Sequence, residues 1–360
     1  MKLLVIARPF VYHGGVEQAT AGLLGALVAR GHDVHLMSPG RSRAMDGVTM
    51  HRLPLPRLPA TVRALTLAAL TRRAVDAGRW DVVQSHERTL SQHVYRAGEG
   101  CHRAYLASGA TTRARGVYHR IMQALESRVF DRTPRIVAIA RQGQREIERF
   151  YAVSPERIRV IYNGVDLARF HPDRAAARRT SARAELGVGA DAHVGLFVGT
   201  GYERKGLATA IQALPHLAGV PLVVIGRGDE KPYRRLALRL GVDDRIRWLG
   251  LRPDLERWYA AADVLVLPTR YEPFGNVHLE ALASGLAVVT TTAAGGAEVI
   301  AEGKNGAVVS PNDPRALAAA VTRLRDEDRS SLAETARRSA EPFTYGRQAQ
   351  EFERLYREFP

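Results

Sequence analysis

Residues 263–281 read DVLVLPTRYEPFGNVHLEA, and the order of elements they imply sets the architecture. Residues 263–268 form an apolar run of strand length closed by a proline, the pattern of a buried strand. Residues 269–273 follow as a loop. A helix opens at Gly275, runs through Ala281 and ends near Gly285, before a second apolar run at 286–290. Strand, loop, helix and strand in this order form a parallel unit. A helix N-terminus just past the carboxyl end of a parallel strand is a ready anion site. Glu272 on the loop and Glu280 on the helix lie eight residues apart. Carboxylates cannot serve the anion itself, but they accept hydrogen bonds from hydroxyl groups. An anion held through backbone N–H groups, with a polyol beside it, describes a sugar nucleotide.

The same alternation continues outward, which places the chain in the α/β class. Before the central stretch, strands are expected at 3–7, 34–37, 82–85, 94–97, 135–140 and 159–162. Helices are expected at about 15–30 and 62–77 and on either side of 135–140, and residues 53–59 are proline-rich. Asn163-Gly164-Val165-Asp166 is a turn signal. Residues 172–184 are polar, rich in Arg and Ala, and read as a break. A second series of strands follows at 193–198, 221–225, 245–249, 264–267 and 286–290. Two doubly wound, Rossmann-like domains are therefore expected, spanning 1–165 and 166–344, with ligand in the cleft where strand ends face each other. Neither an internal repeat nor a low-complexity segment is visible.

The chain has 360 residues, enough for two cores of ordinary size. With 46% apolar and 25% charged residues it is not a disordered chain. No apolar run approaches the ~20 residues of a membrane-spanning helix, and residues 1–6 read as a first strand rather than a signal peptide. The single cysteine, Cys101, excludes an internal disulfide and a cysteine metal site, and a cytoplasmic location is the default expectation. The net charge of +15 comes almost wholly from dispersed arginines; lysine occurs only at positions 2, 205, 231 and 304. With no nucleic-acid-binding motif, the charge does not point to nucleic acid.

The segment Glu272-Pro273-Phe274-Gly275 followed by Leu279-Glu280-Ala281 resembles the E-P-F-G-x-x-x-L-E-A signature of retaining glycosyltransferases of family 4. That resemblance implies a GT-B fold and a nucleotide-sugar donor, with Glu272 at the donor sugar and Glu280 at the ribose hydroxyls. Phe274, Gly275, Asn276 and Val277 of the signature would also belong to the donor site. Gly199-Thr200-Gly201-Tyr202-Glu203-Arg204-Lys205-Gly206 is similar to the family's V-G-R-x-x-x-x-K-G phosphate loop. The early arginine is Thr200 here, and Arg204 beside Lys205 is expected to take over its task. Arg204 and Lys205 are read at the start of the next helix, where they meet the charge of a departing diphosphate. Gly14 and Gly15 match a glycine pair found at this place in the family. Gly226 and the pair Leu251 and Arg252 follow strands and would line the donor site, the latter pair receiving the nucleobase through backbone groups. Gly295-Gly296-Ala297-Glu298 resembles the glycine pair and glutamate that follow the signature helix. The Asn-Gly-Val-Asp turn resembles the family's interdomain crossing, and residues 345–360 would form a helix that packs back on the first domain.

No Asp-x-Asp motif follows a strand, so neither metal nor cofactor is expected. Asp326-Glu327-Asp328 reads as the solvated face of a helical stretch, and Asp243-Asp244 as a turn. On the acceptor side, Ser85-His86-Glu87 and Glu99-Gly100-Cys101-His102 both end strands. The latter is close to the lipopolysaccharide core α-glucosyltransferases of the family, which implies UDP-glucose as donor and an inner-core heptose as acceptor. Glu99 would then receive a hydrogen bond from the attacking hydroxyl or position the donor sugar. His86 reads as a loop histidine without a role. Residues 103–149 hold ten arginines and four acids, and Tyr118, Ile121, Met122, Leu125, Val129 and Phe130 recur there at helical spacing. Such a basic amphipathic segment, 103–132, suits the anionic cytosolic face of a membrane or an ordinary domain helix. Two other readings stay open: a family 4 enzyme with a soluble, capsular or exopolysaccharide acceptor, and a non-catalytic nucleotide- or nucleic acid-binding protein.

Overall fold

The computed structural model describes residues 1–9, 15–40, 42–55, 58–110 and 116–360, except for the side chains of 174–177. Two compact units result, Met1–Gly164 with Tyr345–Pro360, and Val165–Thr344.

Unit 1 holds a seven-stranded sheet. Its strands are β1 (Lys2–Ile6), β2 (Asp33–Pro39), β3 (Val48–Leu53), β4 (Val82–Ser85), β5 (Val94–Ala97), β6 (Arg135–Ala138) and β7 (Ile158–Val160). They lie in the order β3-β2-β1-β4-β5-β6-β7, and every pair is parallel. Unit 2 has six: β8 (Gly195–Val198), β9 (Leu222–Ile225), β10 (Ile246–Gly250), β11 (Val264–Leu267), β12 (Ala287–Thr291) and β13 (Gly306–Val309). Their order is β10-β9-β8-β11-β12-β13, again all parallel. The order therefore reverses beside β1 and β4 in unit 1 and beside β8 and β11 in unit 2, the places where doubly wound sheets bind ligands.

The central strands are buried on both faces, which is why they read as continuous apolar runs rather than alternating ones. β3 was not expected: it is a half-exposed edge strand whose apolar residues are interrupted by Thr49, His51 and Arg52. The short β13 also went unseen. Residues 172–184, expected as a break, belong to the helix Pro172–Leu186. Pro172 sits at its first turn, His171 accepts from Asp173 N, and Gly187 closes it in the left-handed conformation. Asp326-Glu327-Asp328 is not a helical face. It joins the helices Pro314–Arg325 and Arg329–Ala340, and Asp328 caps the second by accepting from Ser331 N at 2.8 Å.

The helix Val117–Arg132 buries Met122, Leu125, Val129 and Phe130. Its apolar stripe is thus core, and only Val117 and Tyr118 remain as large exposed apolar residues beside Arg120 and Arg128. Arg113 and Arg115 lie outside the described residues.

The closing helix, Tyr345–Tyr356, completes the core of unit 1: Ala349, Phe352, Leu355 and Tyr356 pack with Leu23, Leu27, Val34 and Leu36. Glu353 anchors it by accepting from Arg30 at 2.7 and 2.6 Å, and it lies 2.8 Å from His32 Nε2. Phe352→Ala is expected to destabilise unit 1 by about 3–5 kcal/mol, measured by guanidine denaturation followed through Trp80, the tryptophan of that unit.

Candidate functional site

In unit 2 the loops that leave β8 and β11 are bound to each other. After β8, residues Tyr202–Lys205 make a single helical turn, and Gly206 ends it with φ +76°. A Cβ on Gly206 would lie 1.8 Å from the Pro268 carbonyl oxygen, so only glycine permits this approach. The Arg204 carbonyl accepts from Arg270 N at 2.8 Å and Thr269 Oγ1 at 2.9 Å. Arg204 Nη1 donates to the Tyr271 carbonyl at 2.9 Å and to Glu272 Oε2 at 2.8 Å, and Lys205 Nζ pairs with the same oxygen. Arg204 and Lys205 thus close a single helical turn, and Gly206 after them caps the start of the helix Leu207–Ala213, so the charge that balances them is Glu272.

Lys205 and Glu272 are both more than nine-tenths buried. Burial alone would raise the Glu272 carboxyl, but Lys205 and Arg204 overcome it and hold it at about 2. Burial lowers Lys205 from its ordinary value, with Glu272 opposing. Two cations therefore meet one ionised carboxylate, and Glu272 Oε1 accepts no hydrogen bond from the described residues.

The rest of the signature supports this knot. Glu272 N donates to the Ala293 carbonyl at 3.0 Å, and Gly295 N donates to the Glu272 carbonyl at 2.8 Å, so the loop after β12 joins the other two. Gly275 has φ +83°, and the helix begins only at Val277, two residues later than expected. Phe274 is wholly buried, and its carbonyl accepts from Gly296 N at 2.8 Å. Val277 packs on the core and Asn276 precedes the helix. Glu280 is buried and accepts from Tyr259 Oη at 2.9 Å; burial raises its carboxyl. His278, unmarked in the sequence reading, lies 2.7 Å from the Gly275 carbonyl and 2.9 Å from Thr290 Oγ1, and burial holds it down at about 4.

Gly226 sits at the end of β9, where a Cβ would lie 2.0 Å from the Gly199 carbonyl oxygen. Thr200 and Leu251 are exposed, and Arg252 lies over the Trp258 ring at 5.4 Å. Gly14 lies outside the described residues, and Gly15 opens the helix Gly15–Ala29. Among the described residues no three His, Cys, Asp or Glu side chains cluster as metal ligands would, and no helix is long and apolar enough to cross a membrane.

In unit 1, Glu99 follows β5 and lies between two arginines that sequence reasoning missed. Arg8 Nη2 donates to Oε1, and Arg88 Nη1 donates to Oε2 at 3.3 Å. Burial would raise the carboxyl, but Arg8 and Arg88 hold it below the ordinary value. Glu99 is therefore an ionised hydrogen-bond acceptor and a weak base. Arg88 also donates to the fully buried Glu126 at 3.1 and 2.9 Å. Both arginines could have been found, since Arg8 and Arg88 follow the ends of β1 and β4. His86 is buried and, through burial, neutral. Gln84 Nε2 lies 2.7 Å from its Nε2 and Thr20 Oγ1 3.2 Å from its Nδ1, while Tyr356 Oη donates to Gln84 Oε1 at 2.6 Å. His86 thus links the end of β4 to the helix Gly15–Ala29, while Gln84 links β4 to the closing helix.

Residues 13–169 match the family described as Glycosyltransferase Family 4, and residues 192–327 match Glycosyl transferases group 1. A D-inositol 3-phosphate glycosyltransferase of Xylanimonas cellulosilytica is 30% identical over 375 residues, covering 92% of this chain and 88% of that protein. Among solved structures, WaaG, a glycosyltransferase involved in lipopolysaccharide biosynthesis, superposes with a TM-score of 0.86 at 23% identity, over 98% of this chain and 99% of WaaG. HepE of Anabaena in complex with UDP-glucose gives 0.79 at 19% identity, over the whole of both chains.

Because Glu272 is depressed from 4.5 to about 2 in the folded chain, its contribution to stability is complete above pH 4.5 and is lost as pH falls through about 2. Wild type is expected to lose up to about 3 kcal/mol in that window through this group. Glu272→Gln is expected to remove that part of the slope, read from denaturation curves between pH 5 and pH 2.5.

Proposed function

The chain belongs to the family 4 glycosyltransferases, and from that premise we propose that it moves a hexose, glucose in our reading, from UDP to a hydroxyl acceptor with retention at the anomeric carbon. The observation that carries the proposal is the buried knot of Arg204, Lys205 and Glu272 at the strand ends of unit 2. Its surplus positive charge suits the diphosphate, and Glu272 Oε1 is left to accept a hydrogen bond from a sugar hydroxyl. Glu280 beside Tyr259 would serve the ribose hydroxyls. The Anabaena protein of the same fold, solved with UDP-glucose, supports this choice of donor.

The mechanism we propose is front-face attack. The acceptor oxygen approaches as the diphosphate departs, and the departing phosphate takes the acceptor's proton. Arg204 and Lys205 stabilise the charge that develops on the leaving group. Neither Glu272 nor Glu280 then acts as nucleophile, and no metal ion is assigned a role; retained turnover after treatment with EDTA is the expected result.

For the acceptor we propose the heptose of a lipopolysaccharide inner core. The Glu99-Gly100-Cys101-His102 resemblance supports it, and WaaG shares the fold. A second reading, a small soluble acceptor, draws on the relative named for inositol 3-phosphate. Glu99, held ionised by Arg8 and Arg88, would orient the acceptor hydroxyl or donor sugar by accepting a hydrogen bond.

Lys205→Ala is expected to lower turnover about 10²–10³-fold, read as UDP release from a panel of UDP-sugars. Near-normal turnover would remove Lys205 from this role. Adding truncated core oligosaccharide or inositol phosphate to the same assay separates the two acceptors, and no UDP release under any condition would leave only a binding function. Since the apolar stripe of the helix Val117–Arg132 is core, attachment of this helix to a membrane would rest chiefly on its exposed arginines. Co-sedimentation with anionic vesicles is expected to fall in Arg120→Ala/Arg128→Ala and in 0.5 M salt; binding indifferent to both would count against a peripheral location.

A further inference from the structure

Unit 2 has a cavity at the edge of its sheet opposite the Lys205–Glu272 pair, where β8, β11 and β12 begin. Its volume is about 470 Å³, within the usual range for small-molecule sites. Asp263 forms part of its wall and accepts from Arg179 Nη2, Arg183 Nη2 and Val194 N, each at 2.7 Å. Arg329 Nη2 stands 3.5 Å from the same carboxylate. Three guanidiniums therefore share one anion. Arg179 and Arg183 are further committed to backbone carbonyls of residues 260–262 and 189–192. Arg329 has no such bonds and its side chain is 64% exposed; Arg325 also lines the cavity and makes only long contacts, at 3.5 Å each, to the Ala218 carbonyl and Asp326.

Two polar atoms of the wall, Ser284 Oγ and His193 Nε2, are buried with no hydrogen-bond partner among the described residues. Ser284 is more than nine-tenths buried. Buried polar atoms in native proteins are nearly always paired, so these two indicate a missing partner. Asp191 and Glu327 also line the cavity and can only accept hydrogen bonds when ionised. Arginines together with hydroxyl-accepting carboxylates match a ligand that carries both an anionic group and a polyol.

We propose that this cavity is a binding site for a sugar phosphate, separate from the transferase site, with the phosphate on Arg325 and Arg329 and the hydroxyls on Asp191, Glu327 and Ser284. Planar guanidinium forks match phosphate oxygens in pairs, and the cavity lies at the far ends of the strands whose carboxyl ends carry Lys205 and Glu272.

Calorimetric titration of the full chain with glucose 6-phosphate, and separately with inorganic phosphate, tests this. One saturable site for glucose 6-phosphate is expected, at least tenfold tighter than for inorganic phosphate. Arg325→Ala/Arg329→Ala should weaken it tenfold or more, while Lys205→Ala leaves it unchanged. Ser284→Ala, which removes a hydroxyl that no described residue uses, should weaken the sugar phosphate several-fold with every arginine in place. Absence of saturable binding, equal affinity for inorganic phosphate, or binding that survives the arginine changes but is lost in Lys205→Ala would overturn the proposal.

Discussion

Two cations closed in around one carboxylate oxygen hold the strand ends of unit 2 in place. Removing Lys205, Arg204 and Glu272 from water is expensive for each of them, and their mutual attraction must offset that expense. The low pKa of Glu272 shows the attraction prevailing at this site. The consequence is mechanical as much as electrostatic. Through Arg204 the loop after β8 fixes the loop after β11, and through the backbone of Glu272 the loop after β12 joins them. Gly206 and Gly296 are needed because a Cβ at either would strike a carbonyl oxygen of the neighbouring loop. Three loops from separate strands thereby behave as one rigid rim.

The two units carry different charge at the strand ends where their sheets reverse order. In unit 2, Arg204 and Lys205 outnumber Glu272. In unit 1, Arg8 and Arg88 are set against Glu87, Glu99 and Glu126. A surplus of cation suits phosphate oxygens, whereas carboxylates in excess of arginine, with Glu99 held ionised by Arg8 and Arg88, suit hydroxyl groups. The division agrees with a chain in the glycosyltransferase family, whose reaction brings a charged leaving group and a neutral nucleophile together.

What the sequence reveals depends on whether the relevant partners lie close along the chain. The buried parallel strands are legible because a strand covered on both faces must be a short apolar run. The signature is legible because Glu272, Gly275 and Glu280 serve one loop and one helix. The salt bridge between Lys205 and Glu272 spans 67 residues of sequence, and Arg8 reaches Glu99 across 91; no local pattern announces either. The helix Pro172–Leu186 escaped notice for a different reason: part of its inward face is arginine. Arg179 and Arg183 bury their stems and bond carbonyls, so their charge disguised a buried face as a polar break. The apolar stripe of Val117–Arg132 left two readings open, since core packing and a membrane-facing surface produce the same spacing, and burial of the stripe favours the first.

The closing helix has a further consequence for how the chain is made. Phe352, Leu355 and Tyr356 fill the core of unit 1, yet they are synthesised only after the whole of unit 2. Unit 2 is continuous from Val165 to Thr344 and can fold while translation proceeds. Unit 1 lies on either side of it in the chain. Its sheet must wait with an uncovered apolar face until residues 345–360 emerge from the ribosome. Although its strands precede unit 2 in the chain, unit 1 is therefore the unit whose core closes later, reversing the usual order in which domains mature during synthesis.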